Sequence, residues 1–83
     1  MRLVLIEWVD SYCSTGWREL EDMVPEVMRC RSAGWVAAED DDCIILAPHI
    51  GAEGHDDANA QGNGIMVIPK LSISSLVDLS ASP

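Results

Sequence analysis

The sequence predicts a mostly β protein: a small barrel of five antiparallel strands carrying one short helix. Three observations lead there. The apolar runs are short and rich in Val, Ile and Leu, as strands are. Two of them, Gly34 to Ala38 and Cys43 to Ala47, flank the acidic link Glu39-Asp40-Asp41-Asp42, which is the sequence form of a hairpin. Near the end, Pro69-Lys70 separates two more runs closely enough for a single 3₁₀ turn to join them. Five short strands in so small a chain must curl, because a flat sheet would leave a face and two edges in water. The alternative is an open α+β sheet with the helix packed on one face.

Taken in order, Leu3 to Val9 forms the first strand, with Leu3, Leu5, Glu7 and Val9 on one face and Val4, Ile6 and Trp8 on the other. Glu7 on the first face means that this face is only partly covered. Ser14 or Thr15 caps a short helix from Trp17 to Glu21, with Trp17 and Leu20 on its buried side. Pro25 ends it, and residues 24–30 become a connector whose buried contacts are Val27 and Met28. In the hairpin that follows, Ile44-Ile45-Leu46 is continuous, as in a strand covered on both faces near the centre of a sheet. The link Glu39 to Asp42 must lie in water, since unpaired carboxylates cost several kcal/mol to bury.

The stretch from Gly51 to Gly64 lacks the apolar side chains that would offset its ordering, so it reads as a mobile loop, closed by the turn dipeptide Asn63-Gly64. Ile65 to Ile68 is the fourth strand, Leu71 to Ser74 the 3₁₀ turn, and Ser75 to Leu79 the last strand. Residues 1–79 thus make one domain, and 80–83 a frayed tail. Barrels of the Src-homology-3-like and Sm-like kind join their fourth and fifth strands by such a turn, so this is the barrel expected.

Composition narrows the function classes. With 83 residues the chain holds one modest core, and 48% hydrophobic residues make it a folded domain and not a disordered tail. Fourteen acidic against five basic residues give a net charge of −9, which argues against direct binding of nucleic acid through its phosphates. A partner protein with a basic surface suits that charge better, although acidic loops also serve solubility. Three cysteines, Cys13, Cys30 and Cys43, at wide spacing indicate neither a disulfide framework nor structural zinc, as expected of reduced thiols in a cytosol. No run approaches the roughly 20 apolar residues of a membrane helix, and Glu7 and Asp10 interrupt the only candidate leader.

No cofactor or catalytic motif emerges. His49, His55, Asp56 and Asp57 offer metal ligands, but in no metal-binding pattern. Asp40-Asp41-Asp42 lacks the alternating ligands and closing Glu of a calcium loop. Cys13 with His49 or His55 is a chance pairing, without an orienting group. Trp17 and Trp35 are expected in the core. The candidate protein-binding residues are therefore Trp8, Asp10 and Tyr12, as the exposed group, together with Glu39, Asp40, Asp41 and Asp42 of the acidic turn. Self-association into a homo-oligomer could complete an uncovered sheet face or edge.

Four short motifs, Glu7-Trp8-Val9-Asp10, Gly16-Trp17, Ser32-Ala33-Gly34-Trp35, and Ile68-Pro69-Lys70 with Ile73, give the chain a further likeness. It resembles a family of small uncharacterised proteins encoded by tailed bacteriophages and prophages. The resemblance implies a setting in the cytoplasm of a host bacterium, with no chemistry attached. Family patterns vary over 51–64, so it assigns no role to that loop. The expected function is a non-enzymatic accessory protein that binds a host or phage protein, in its sharper form an acidic inhibitor of a host defence or nucleic-acid enzyme. A minor structural or assembly component of the particle is the alternative.

Overall fold

The computed structural model describes residues 1–51 and 59–79. Seven strands form in them: β1 (Leu3–Asp10), β2 (Met28–Glu39), β3 (Cys43–Ala47), β4 (His49–Gly51), β5 (Gln61–Asn63), β6 (Met66–Pro69) and β7 (Ile73–Asp78). Five make one antiparallel sheet in the order β6-β3-β2-β1-β7, and β4 with β5 makes a separate ribbon. The expected 3₁₀ turn is present one residue early, at Lys70–Ser72. It carries the chain from one edge of the sheet to the other, since β6 and β7 are its two outermost strands.

β2 is the spine. Its residues 28–35 pair with β1, whereas its residues 35–39 pair with β3, so only Trp35 belongs to both ladders. A register slip between Val36 and Ala38 leaves one residue unpaired at that point, and such a bulge bends a strand. The bend folds the sheet over itself. Val4 and Ile6 of β1 consequently meet Ile44 and Leu46 of β3 and Ile68 of β6 in one buried cluster, with Trp8, Val36 and Ile73 against it. Each such side chain contributes about 1.5–3 kcal/mol by leaving water.

Gly34 stands at the crease. A Cβ there would lie 2.8 Å from the carbonyl oxygen of Ala47 and 3.1 Å from Cγ of Leu46. The first of these is backbone held in a ladder and cannot move cheaply. Gly34→Ala is therefore expected to destabilise the fold by about 1–3 kcal/mol, read as a lower urea midpoint with an unchanged slope.

Several expectations are corrected. The described residues contain no α-helix: between Trp17 and Glu21 the chain makes only a 3₁₀ turn, Leu20–Asp22, without a side-chain cap. Gly16 and Pro25 leave too few residues to offset the cost of helix nucleation, and Trp17 and Leu20 are exposed instead of buried. Val27 and Met28 are exposed too, because β2 begins only at Met28. Trp35 is half-buried on the face opposite the core, beside Leu3. Within the expected 51–64 loop, Gln61–Asn63 pairs with His49–Gly51 through backbone hydrogen bonds that need no apolar side chain, and Gly64 takes the positive φ of 74° that its turn requires. The ladders do not close the sheet, as no pairing joins β6 to β7 among the described residues. The tail 80–83, with His55, Asp56 and Asp57, lies outside the described residues.

Candidate protein-binding surface

The last pair of the β1–β2 ladder is Asp10 with Met28, and from it residues 11–27 leave the sheet. Every one of them is exposed. The loop's internal backbone bonds run from the N–H of Asp22 to the carbonyl of Glu19, at 3.2 Å, and from Met23 to Leu20, at 3.1 Å. Gly16, at φ 90°, turns the chain just before Trp17. Trp17 is wholly in solvent, Leu20 is 87% exposed and Val24 70%. A connection of this length with only one 3₁₀ turn in it is uncommon in a compact domain unless it has a task. Large apolar side chains left in water together are a common feature of interaction sites.

Glu19, Glu21 and Asp22 stand between these apolar side chains in the sequence and Glu26 follows them, while Arg18 donates a hydrogen bond to Oγ of Ser14 at 3.1 Å. The loop thus offers exposed apolar side chains with acidic ones between and after them, an acidic rim along the sequence.

The expected site residues fall into two groups that the fold keeps apart. Asp10 and Tyr12 are exposed at the foot of the loop, where Asp10 Oδ1 accepts a hydrogen bond from the N–H of Ser11 at 2.8 Å. Trp8, expected beside them in solvent, is half-buried against the core and donates its indole N–H to Ser32 Oγ at 3.1 Å. The acidic turn is at the far end of β2, roughly 35 Å away along the strand at about 3.3 Å per residue. There Glu39 is held by Arg2 at 2.6 Å and by Lys70 at 3.2 Å. Asp41 and Asp42 are exposed.

Asp40 shapes that turn. Its Oδ1 accepts from the N–H groups of Asp42 at 2.8 Å and Cys43 at 2.9 Å. The Cys43 N–H first, then that of Asp42, hold its carboxyl below the ordinary aspartate value of 3.8. Burial, then the nearby Asp40 charge, push the Cys43 thiol up, so it stays protonated and is a poor nucleophile. A depressed carboxyl stabilises the fold above its unfolded pKa and loses that contribution as pH falls through the folded one. Asp40→Asn is therefore expected to flatten the dependence of unfolding midpoint on pH below about 4, measured by thermal melts across an acid series.

Among the described residues no group of three or more His, Cys, Asp or Glu is placed to hold a metal ion. Cys13 stands in the loop and His49 in β4, and no hydrogen bond joins them. No helix among the described residues is long and apolar enough to cross a membrane.

No protein-family model, curated protein or solved structure matches this chain.

Sequence reasoning missed Trp17 and Leu20 as surface residues, because apolar side chains three apart read as one face of a helix, and it gave Val24 only a place in the connector. The signal that could have found them is the bracket of Gly16 and Pro25, too narrow for a helix and too irregular for a strand.

Proposed function

We propose that this chain is a protein-binding accessory module of a tailed bacteriophage or prophage, acting without catalysis in the cytoplasm of the host. It works by seating the loop 11–27 on another protein. The observation that supports this most directly is the exposure of Trp17, Leu20 and Val24 on one tethered loop. The acidic rim and the charge of −9 favour a host or phage partner with a basic surface over nucleic acid itself. An inhibitor that occupies the basic groove of a host defence or nucleic-acid enzyme is the sharper form of this reading. In fold terms we take the creased sheet for a partly open barrel of the Src-homology-3-like kind, with the loop on its first hairpin.

A second reading, a minor component of particle assembly, draws support from β6 and β7, the two outermost strands of the sheet among the described residues, where Val67 and Val77 are exposed. Affinity capture from infected cells at low salt, with wild type and Trp17→Ala side by side, tests the first reading. A basic protein retained by wild type and lost by the variant is the expected result. Equal recovery by both, or recovery by neither, overturns it; presence in purified particles would instead favour assembly.

A further inference from the structure

One face of the sheet is chemically unlike the rest of the surface. On β1, alternation puts Leu3, Leu5 and Glu7 on the side opposite the buried Val4 and Ile6. Ladder partners share a side, so Trp35, Ala33 and Arg31 of β2 stand beside them in that order. The face is therefore apolar at one end and charged at the other, where Arg29 follows Arg31 on the same side. Acidic residues dominate the turn and the loops, yet these rows carry one carboxylate and two guanidinium groups. Arg2 and Lys70 are occupied by Glu39, whereas the side chains of Arg29 and Arg31 make no ion pair among the described residues. Glu7 and Arg31 are ladder partners, but no ion pair joins them.

We propose that this face is the interface of a homodimer, with a second copy of the chain packed sheet on sheet against it. The argument is self-complementarity, which a two-fold contact demands. An axis running along the strands, midway between β1 and β2, sets each β1 residue opposite its own ladder partner in the other copy. Leu3 then meets Trp35, Leu5 meets Ala33, and Glu7 meets Arg31, each contact made twice. The strands of the two sheets stay nearly aligned, as in ordinary sheet-on-sheet packing. Two molecules of charge −9 repel almost everywhere else. Here like charges do not meet, and each Glu7 gains the guanidinium that its own chain does not supply. The interface uses no residue of the loop 11–27, so it does not depend on the proposed partner binding.

With only a few residues contributed by each copy, the contact is expected to be weak, with a dissociation constant on the order of micromolar. Sedimentation equilibrium of the full chain is expected to show a concentration-dependent dimer. Ala33→Glu, which alters an exposed side chain and puts a carboxylate at the centre of the contact, should weaken it about tenfold or more. Glu7→Arg should weaken it as well, and Glu7→Arg combined with Arg31→Glu should restore it. Circular dichroism of each variant confirms folding, and the charge-reversal pair serves if Ala33→Glu does not fold. Trp17→Ala should dimerise as wild type does. A chain that stays monomeric at about 100 µM overturns the proposal. So does a dimer indifferent to both Ala33→Glu and Glu7→Arg in folded protein, or one lost in Trp17→Ala, which would place the contact in the loop.

Discussion

Ile6→Ala is expected to remove about 2–5 kcal/mol of stability, a large part of the about 5–15 kcal/mol that a domain commonly has. Ile6 has no exposed surface and lies in the cluster that joins β1 to β3 and β6. Its backbone is pinned on both sides, by Ser32 of β2 and Leu76 of β7, so the strand cannot sink to fill the space the side chain leaves. A site that cannot collapse keeps its cavity, and the cost lies toward the upper part of the range. Ile6→Val, which deletes one methylene, should cost about 0.5–1.5 kcal/mol. Leu71→Ala serves as the counterweight: Leu71 is fully exposed, and its loss should change stability by no more than about 0.5 kcal/mol. Urea unfolding of the three variants measures all of this. Equal midpoints for Ile6→Ala and Leu71→Ala would mean that the creased sheet has no core where the cluster places it.

Trp17→Ala should do the reverse, leaving the unfolding midpoint unchanged while weakening capture of the partner by about 2 kcal/mol or more, roughly thirtyfold. Trp17 touches too little of its own chain to hold the fold, being wholly in solvent. Aromatic anchors of this kind bury about 150–250 Å² on entering a pocket, and they carry much of an interface's energy. Leu20→Ala should follow the same pattern with a smaller loss. The acidic rim acts differently. Substituting Glu21 and Asp22 with Asn should slow association and blunt its dependence on salt, since exposed charges steer encounter over about 8 Å at physiological ionic strength. Titration calorimetry and stopped-flow binding with the captured protein separate the two effects. A Trp17→Ala protein that melts well below wild type would show the loop to be part of the fold and remove its role as a free binding surface.

The ladder of elements was legible wherever local chemistry decided it. Residues 3–9, the acidic turn and the 3₁₀ turn after Pro69 all declare themselves through β-branched runs, carboxylates and proline. What the pattern of residues 17–21 could not convey is that Trp17 and Leu20 stay exposed, with no surface among the described residues covering them. Helix periodicity is evidence of burial only when a neighbour stands ready to cover that face. Trp8 erred in the other direction. Grouped with Asp10 and Tyr12 as exposed, it instead follows the alternation of β1 inward, with Val4 and Ile6, to Ser32 and the core.

By itself the sequence determined that this protein is mostly β, that its carboxylates gather in turns and loops, and that Glu7 marks a face only partly covered. Those follow from side-chain period and the cost of burying charge, both of which act between near neighbours in the chain. Only the tertiary structure decided that β2 would serve two ladders and crease at Gly34, that the core would close over Val4, Ile6, Ile44, Leu46 and Ile68, and that the loop 11–27 would stand clear of it. These depend on which distant strands meet. That choice is made by the total apolar surface the sheet can bury, which no local stretch of residues encodes.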